Sequence, residues 1–279
     1  MLWYSDKYTS ADNNTKNYSW VTLLSDNSYI NGVIVLDRSL KETNSKYPLC
    51  VAVTNEVSEE NIQLLHKLNI SVVYFETVVP PGMSSSDSPD IITSLDVYGW
   101  HKALCKIRVF SLEQFDKIVF IDADMIVKNN MDELFDMPHM TACRDCWDFD
   151  GNFGDTFSLN SGLMVIEPDA KITENLLKFL IDFDSQGKMI HDQWLIQEYY
   201  LGWMDCSCLH LSPYYGIWTT RFNEAGVEYY YHMHKIKCIH MIDRKPWATS
   251  KEYFLGLMDD YPIYSKLCLQ YIDIINFTQ

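Results

Sequence analysis

A regular alternation of apolar runs and amphipathic segments near the start of the chain constrains the fold more than any other sequence feature. Short runs rich in β-branched residues favour strands, and apolar residues at helical spacing favour helices. Strand and helix patterns that alternate at these lengths are typical of βαβ units with a parallel sheet. The predicted elements are a strand at residues 20–24, a helix at 28–41, a strand at 48–54, a helix at 58–68 capped by Ser58, and a strand at 70–75.

The sequence Lys-Ile-Val-Phe-Ile-Asp-Ala-Asp at residues 117–124 predicts a fourth strand that runs into two acids. Its continuous apolar run is typical of a parallel strand buried on both faces. Side chains on an extended segment alternate between faces, so we expect Asp122 and Asp124 to point the same way. Their position at the carboxyl end of a parallel strand, where open α/β sheets bind ligands, favours a site for Mg²⁺ or Mn²⁺. A strand that ends in a solvated acidic turn would contain the same residues.

The rest of the chain predicts further α/β structure after an irregular interruption. Pro, Gly and Ser residues dominate residues 77–94 and predict either a disordered surface loop or a mobile lid. We divide the chain into an N-terminal arm at residues 1–18, an α/β domain at 19–250 and a helical C-terminal appendage at 251–279. The remaining predicted elements are a helix at 98–115, a loop at 143–157, a strand at 163–166, helices at 173–183 and from His191, and a strand at 236–242.

An excess of acidic residues limits the expected partners. The chain has 38 acidic and 22 basic residues, a formal charge of −16 that repels phosphate backbones and anionic lipid surfaces. Nucleic acid is therefore not an expected partner, and a site for an anionic substrate needs local cations. The polar residues 1–17 indicate neither a secretory signal nor an anchor, and no apolar run reaches the roughly 18–20 residues of a membrane span. The expected location is cytoplasmic.

The eight cysteines of the chain are expected to be reduced thiols, most of them buried. Cys143 with Cys146 and Cys206 with Cys208 would offer four thiolates to a zinc ion. The Cys-x-Cys spacing of the second pair is wrong for a zinc knuckle, so we expect thiols without zinc.

Six short motifs are spread over residues 20–247. They are Val-Thr-Leu at 21–23 followed by Tyr29, Phe-Ile-Asp-Ala-Asp at 120–124, Asp-Glu-Leu-Phe at 132–135, Asn-Ser-Gly-Leu-Met-Val at 160–165, Asp-Gln at 192–193, and His240 with Lys-Pro-Trp at 245–247. Together these motifs resemble the glycogenin-like retaining glycosyltransferases of glycosyltransferase family eight. The resemblance implies the GT-A fold, a Rossmann-like and mostly parallel sheet flanked by helices, and assigns residues 19–250 to the catalytic domain.

The resemblance also implies a divalent ion, usually Mn²⁺ with Mg²⁺ as the alternative, bound by Asp122, Asp124 and His240. Two carboxylates and one imidazole are a reasonable ligand set for Mn²⁺. Taken alone, His240 would be interpreted as a core histidine with its hydrogen bonds satisfied. Lys245 corresponds to the family lysine that binds the nucleotide diphosphate.

The remaining donor contacts implied by the resemblance fall into two groups, one around the uracil ring and one around the sugar. The expected catalytic residues are Lys106, Asp145 and Asp192, with Lys106 and Asp145 engaging each other. Asp192 also opens a helix, so N-capping is its structural alternative. A carboxylate near the anomeric carbon acts either as nucleophile or as a stabiliser of an oxocarbenium-like state, and the sequence leaves both open. The uracil group is Leu23, Ser25, Asp26 and Tyr29, and the other sugar contacts are Asn160, Ser161 and Gln193.

Several departures from the family pattern bear on the function. A family acid three residues before Asp192 is Met189 here, and the loop between His240 and the Lys-Pro-Trp motif is one residue shorter and lacks its Gly. The loop at 143–157 is several residues longer than in glycogenin, which suggests a different acceptor surface. Tyr215 lies near the family's self-glucosylated tyrosine, in a loose match.

The sequence therefore predicts a Mn²⁺-dependent retaining glycosyltransferase. It would transfer a hexose, glucose before galactose, from a UDP-sugar to a protein or glycan acceptor, with self-glycosylation left open. The alternative is a catalytically impaired sugar-nucleotide-binding or interaction protein on the same fold, favoured by Met189 and the altered loop. A phosphohydrolase is disfavoured because that class carries its Asp-x-Asp pair on the first strand. A homodimer is suggested only by kinship with glycogenin.

Overall fold

The computed structural model describes residues 16–78, 100–145, 158–184, 191–219, 222, 234–242 and 244–278. Strands and helices alternate along the first half, as predicted, and helices end the chain. The strands are β1 (Tyr18–Leu24), β2 (Leu49–Val53), β3 (Ser71–Tyr74), β4 (Lys117–Ile121), β5 (Met125–Val127), β6 (Ala142–Arg144), β7 (Leu159–Ile166), β8 (Ile217–Trp218) and β9 (Cys238–His240). The α-helices are α1 (Ile30–Glu42), α2 (Glu59–Lys67), α3 (Trp100–Ala103), α4 (Ala170–Asp184), α5 (Asp192–Tyr199), α6 (Lys251–Gly256) and α7 (Pro262–Thr278).

Two sheets organise the described residues. The larger has six strands in the order β3-β2-β1-β4-β7-β6, and the smaller has the order β5-β9-β8. The first four strands of the larger sheet are parallel, with Val21 opposite Cys50 on one side and Phe120 on the other. Strand β7 runs antiparallel to β4, and β6 runs antiparallel to β7. The expected fold, a mostly parallel sheet flanked by helices, is therefore confirmed.

Alternation along the central strands places apolar side chains on both faces of the larger sheet. Trp20 and Val119 belong to the buried cluster on one face, and Val21 and Phe120 belong to the cluster on the other. Successive side chains on a strand point to opposite faces, so a strand that is apolar throughout needs helices on both sides. This explains why residues 118–121 are all apolar, with Lys117 at the start of β4 as the one polar position before the acids.

The C-terminal segment is packed onto the fold through its own apolar cluster. Helix α7 contributes Leu267 and Tyr271, which join Val35 of α1 and Ile239 of β9. The segment after residue 250 therefore buries side chains behind the smaller sheet. The predicted division of the chain into an arm, a domain and an appendage stays a prediction. No helix in the described part of the chain combines the length and apolar character that crossing a bilayer requires.

Several boundaries differ from those predicted. The helix expected at 98–115 is a short α-helix that continues as a 3₁₀ helix over Leu104–Ser111. Its β-branched Ile107 and Val109 are weak helix formers, and most side chains of this segment are buried, so tertiary packing sets the backbone. Ser58 caps α2 as predicted, accepting a hydrogen bond from the Asn61 amide. Strand β7 begins at residue 159 rather than 163, α4 begins at 170 rather than 173, and β9 is shorter than the predicted 236–242.

The interrupted regions are mostly outside the described residues. Of the loop predicted at 77–94, only the first two residues are described. Of the loop predicted at 143–157, the first two residues belong to β6, and 146–157 lie outside the described part.

Candidate active site

The two acids of the Asp-Ala-Asp motif lie in a turn rather than on a strand. Strand β4 ends at Ile121, and the Met125 amide donates to the Asp122 carbonyl at 3.1 Å. The expectation that an extended backbone aligns the two acids is therefore wrong. The turn is held against β7, because the Asp122 amide donates to the Gly162 carbonyl at 2.8 Å. The carboxylates still converge, since the turn projects both toward the end of the smaller sheet.

His240 reaches the acids from the last residue of β9, where its backbone pairs with Met125 of β5. The imidazole Nε2 lies 3.2 Å from Asp124 Oδ1 and 3.9 Å from Asp122 Oδ2. One ligand atom from each of the three residues fits within 4.8 Å of the others, the one such grouping found among the described residues. Two hard carboxylate oxygens and an imidazole nitrogen are donors that suit Mn²⁺ or Mg²⁺ better than a soft ion.

Gly162 explains how β7 can approach this cluster. A Cβ atom at this position would lie 2.9 Å from His240 Cε1, 3.0 Å from Asp122 Oδ2 and 2.8 Å from Asn160 Oδ1. At separations this short, the Asn160 amide and the His240 ring, or the backbone of β7 itself, would have to shift. The Gly of the Asn-Ser-Gly motif is therefore needed for the close approach of a strand to the acids.

Lys245 supplies a cation on the other side of the cluster. Its Nζ lies 2.5 Å from Asp124 Oδ2 and donates to the Met241 carbonyl. Burial alone would raise the pKa of Asp124, but His240 and Lys245 hold it well below its usual range. Asp124 is therefore ionised at neutral pH, as a metal ligand must be.

Lys106 lies at the centre of a second group of charges, which we call the buried network: Lys106, Asp122, Asp192 and Ser161. Lys106 Nζ lies 2.6 Å from Asp192 Oδ2 and 3.0 Å from Asp122 Oδ1, and it donates to Ser161 Oγ at 3.1 Å. Ser161 in turn donates its hydroxyl to Asp192 Oδ2 at 2.8 Å. One lysine therefore holds the metal-site acid and the acid of α5 in a single arrangement.

Protonation in the buried network follows from burial and opposing charge. Burial alone would lower the pKa of Lys106, but Asp122 and Asp192 raise it well above its usual range. Burial would raise the pKa of Asp192, but Lys106 and Ser161 bring it below its usual value. Burial raises the pKa of Asp122 and the Asp124 charge adds to the rise, against the effect of Lys106. Lys106 and Asp192 are therefore a fully charged pair.

Asp192 is not the N-cap of α5. The cap is His191, whose Nδ1 accepts a hydrogen bond from the Trp194 amide at 3.3 Å. The Asp192 carboxylate points into the buried network instead. The structural alternative considered for Asp192 is therefore wrong.

Asp145 has a different set of partners from the one expected. Its carboxylate accepts hydrogen bonds from Ser158 Oγ at 3.2 Å, Asn160 Nδ2 at 3.4 Å and Gln193 Nε2 at 3.2 Å. The predicted direct pairing with Lys106 is not seen among the described residues. Gln193 Oε1 also accepts from the Ser161 amide at 3.3 Å, so Gln193 links Asp145 to the buried network.

The predicted uracil-binding residues lie after β1. Asp26 accepts a hydrogen bond from the Ser28 amide at 2.8 Å and caps a short 3₁₀ turn, and the Ser25 carbonyl accepts from Thr54 Oγ1 at 2.6 Å. Tyr29 packs edge-on against Trp247 with ring centroids 5.4 Å apart. Burial raises the pKa of Tyr29 to about 12, with the charges of Asp124, Asp122 and Asp26 adding to the effect. Leu23 is half-buried at the end of β1.

Two further residues contact this region and were missed in the sequence. Lys102 Nζ lies 2.7 Å from Asp26 Oδ2 and 3.0 Å from Glu56 Oε2. We call Lys102, Asp26 and Glu56 the surface bridge. Lys102 precedes Lys106 by four residues in a predicted helix, a spacing that places two side chains on one face. That spacing was the available signal for Lys102, whereas Glu56 follows β2 in a segment without a motif.

Tyr215 belongs to a separate cluster. Its hydroxyl donates to Glu133 Oε1 at 2.7 Å, and Lys237 Nζ lies 2.7 Å from the same oxygen. Burial and the Glu133 carboxylate raise the pKa of Tyr215. The loose match of this tyrosine to the family's self-glucosylated residue stays a prediction. Met189 and Cys146 lie outside the described residues.

The sequence is similar to a known protein family and to named proteins. The model of Glycosyl transferase family 8 matches residues 20–251. Glycogenin-1 of Caenorhabditis elegans is 27% identical over 240 residues, which cover 85% of this chain and 52% of that protein. UDP-glucuronate:xylan alpha-glucuronosyltransferase 2 of Arabidopsis thaliana is 27% identical over 264 residues, which cover 90% of this chain and 39% of that protein. The chain thus spans about half or less of these two relatives.

The fold is similar to that of a solved structure. The galactosyltransferase LgtC, solved in complex with donor and acceptor sugar analogs, superposes with a TM-score of 0.54 at 11% identity. The match covers 92% of this chain and 95% of LgtC and shows a shared fold. Since the family model accounts for most of its sequence, the chain belongs to glycosyl transferase family 8.

Proposed function

We propose that this protein is a Mn²⁺-dependent retaining glycosyltransferase that moves a hexose from a UDP-sugar to a hydroxyl of a protein or glycan. The observation that carries the proposal is the joining of two charge groups through Asp122. Asp122 belongs to the three-residue metal cluster and also pairs with Lys106 of the buried network. A metal site for a diphosphate and a charged site for a sugar would then lie side by side.

Asp122, Asp124 and His240 would hold the metal, and their donor atoms fit Mn²⁺ with Mg²⁺ as the alternative. When bound, the ion would neutralise charge on diphosphate oxygens as a Lewis acid. Lys245 would hold the diphosphate as a compact cation where negative charge develops on the leaving group. The position of the Lys245 ammonium, 2.5 Å from the metal-site acid Asp124, supports this role despite the shortened loop.

The buried network would bind the donor sugar. Asp192 stays ionised in a buried setting, as required of a carboxylate that attacks the anomeric carbon or stabilises positive charge there. Lys106 would fix the position of that carboxylate, and Ser161 limits its rotation through a second hydrogen bond. Polar groups of Asn160, Gln193 and Asp145 line the adjoining edge and would bind sugar hydroxyls.

The nucleotide would lie toward β1. The Tyr29 ring, which packs edge-on against Trp247, would stack on the uracil, and the Asp26 carboxylate would accept from a ring N–H. Ser25 and Leu23 would complete the contact at the end of β1. A base in this position places its diphosphate toward Lys245, whose Nζ lies 6.0 Å from the Tyr29 ring centroid.

We propose glucose as the donor sugar, with galactose second. UDP-glucuronate belongs in the same test, because a relative is named as a glucuronosyltransferase. A homodimer, by kinship with glycogenin, and a cytoplasmic location stay predictions. The alternative, a sugar-nucleotide-binding protein without transfer activity, rests on the altered residues around the sugar side.

The test is incubation of the full chain with Mn²⁺ and each UDP-sugar in turn, followed by UDP release and intact mass. We expect release of UDP from one hexose donor and, if the chain glycosylates itself, a mass gain of one or more hexoses. Asp124→Asn removes a metal ligand and should abolish the release, while the exposed Asp136→Asn should not change it.

Two results contradict parts of this proposal. Mn²⁺-dependent UDP binding measured by calorimetry, without UDP release from any donor, would support the non-catalytic alternative. Turnover by Asp124→Asn at the wild-type rate would show that the metal cluster is not the active site.

A further inference from the structure

Two cysteines outside the active site lie in contact on the protein surface. The Sγ atoms of Cys206 and Cys208 are 3.2 Å apart. Cys208 is exposed and Cys206 is half-buried. The other cysteines among the described residues are all buried: Cys50, Cys105, Cys143, Cys238 and Cys268. Among the described residues, Cys206 and Cys208 are therefore the thiols that solvent can reach.

A tight turn brings the two thiols together. Residues Ser207–Leu209 form a 3₁₀ turn, and the Leu209 amide donates to the Cys206 carbonyl at 2.9 Å. A hydrogen bond with Cys208 raises the pKa of Cys206. Either sulfur can donate in this contact, so exposure is what distinguishes the two thiols: Cys208 is exposed and Cys206 is half-buried. This arrangement divides the pair into an accessible attacking sulfur and a second sulfur behind it.

The turn is also anchored to a strand of the larger sheet. Two residues after Cys208, His210 forms a bridge with Ala142 of β6, and the Leu211 amide donates to the Ala142 carbonyl at 2.9 Å. Strand β6 leads directly to Asp145. The thiol pair is thus held on a fixed backbone rather than on a free loop, which keeps the two sulfurs close.

We propose that Cys206 and Cys208 form a site of thiol–disulfide exchange that reacts with small disulfides of the glutathione class. The Cys208 thiolate attacks one sulfur of the small disulfide, an S–S bond forms to the protein, and the released thiolate takes up a proton. Cys206 then loses its proton and attacks Cys208 Sγ, which expels the second small thiol. Two protein thiols are oxidised to one disulfide, and one small disulfide is reduced to two thiols. The sulfur separation shortens from 3.2 Å to about 2.05 Å.

The test uses the full chain and oxidised glutathione as the probe. After incubation, free thiols are alkylated, and intact mass and peptide mapping locate the changes. In the wild type we expect two fewer alkylated cysteines and one peptide that contains a Cys206–Cys208 disulfide. The matched control Ser207→Ala changes the residue between the cysteines, keeps both thiols and should give the same product.

The single variants separate the two sulfurs. Cys206→Ser should accumulate a glutathione adduct on Cys208, because the second step has lost its nucleophile. Cys208→Ser should react at least about 10-fold more slowly, because the remaining thiol is half-buried. Circular dichroism of each variant confirms that the chain remains folded.

Other outcomes overturn the proposal. These are a wild type that keeps a stable glutathione adduct, a disulfide that involves a buried cysteine, and equal reaction rates for the two single variants. Full alkylation of both thiols after incubation with oxidised glutathione would also overturn it.

Discussion

Two lysines four residues apart each bridge two carboxylates, in settings that differ mainly in burial. Lys106 joins Asp122 and Asp192 with its side chain 6% exposed, and Lys102 joins Asp26 and Glu56 with its side chain 29% exposed. Their bond lengths are similar. Because the geometry is alike, a difference in the strength of these ion pairs reflects the dielectric environment.

This difference in burial predicts a difference in rigidity between the two ends of the proposed donor site. A buried charge that loses its partner is left uncompensated in a medium of low dielectric constant, which costs several kcal/mol. The buried network is therefore held in one arrangement. The surface bridge is screened by water and salt, so it can open at small cost. The sugar end would therefore be rigid, and the nucleotide end would adapt.

The largest expected effect comes from Lys106→Met, which removes the shared cation of the buried network. Asp122 and Asp192 would remain close together in a buried site without compensation. We expect the free energy of unfolding to fall by about 3–5 kcal/mol, measured by urea denaturation followed by circular dichroism. The control Arg38→Met removes the exposed ion pair with Glu42 and should cost about 0.5 kcal/mol or less. Equal losses in the two variants would break the comparison.

His139 differs from Lys106 in its response to burial, because the charges of Glu167 and Asp169 do not outweigh the effect of burial on its pKa. Its Nδ1 accepts from the Glu167 amide at 3.0 Å and its Nε2 bonds Tyr200 Oη at 2.9 Å, which satisfies the neutral ring. Burial lowers the pKa of His139 to about 4. An unfolded histidine has a pKa of about 6.5, so between these values the unfolded state binds more protons.

The stability contributed by neutral His139 is complete above pH about 6.5 and is lost as the pH falls toward 4, by at most about 3 kcal/mol. His139→Gln cannot titrate, so the difference in unfolding free energy between the wild type and this variant should shrink as the pH falls from 7 to 4.5. Urea denaturation at each pH measures it. Parallel curves for the two proteins would show that burial does not displace this proton.

Asp192→Asn tests whether the buried network takes part in sugar transfer. The variant keeps the shape of the side chain and removes its charge, so UDP binding should change by less than about threefold while kcat falls about 100-fold. Calorimetry with UDP and steady-state UDP release measure the two quantities. A variant that loses UDP affinity and keeps its kcat would place Asp192 at the nucleotide instead. Asp136→Asn serves again as the surface control.

The sequence predicted the parallel half of the fold because its order depends on local patterns. Residues 18–75 alternate strand and helix with caps that the sequence shows, and Ser58 at the start of α2 is one of them. The acids after β4 were found for the same reason, since a buried strand must end somewhere and polar residues mark the end. The argument for their alignment failed, because the backbone turns immediately after Ile121.

The partners of those acids could not be derived from local patterns. His240 and Lys245 are more than a hundred residues away in sequence, and only the packing of the smaller sheet brings them to Asp124. They were found through the family resemblance alone. Two members of the surface bridge, Glu56 and Lys102, were missed because they belong to no motif, whereas Asp26 was found through the resemblance. The expected contact between Lys106 and Asp145 shows the limit of a resemblance, since side-chain partners depend on details of packing that motifs do not contain.

The smallest expected effect comes from Lys102→Met, which opens the surface bridge. Removing this partly exposed ion pair should change the free energy of unfolding by less than about 1 kcal/mol. Asp26 would lose the cation that fixes its carboxylate, so the KM for the UDP-sugar should rise about fivefold, the equivalent of 1 kcal/mol, with kcat unchanged. The control Arg38→Met removes the exposed pair with Glu42 and should leave KM unchanged. Because the bridge is screened by ions, the KM difference between the wild type and Lys102→Met should narrow in about 0.5 M NaCl. A difference that is insensitive to salt, or a fall in kcat, would mean that Lys102 acts on the reacting sugar like Lys106, and the contrast between the two ends of the site would then be wrong.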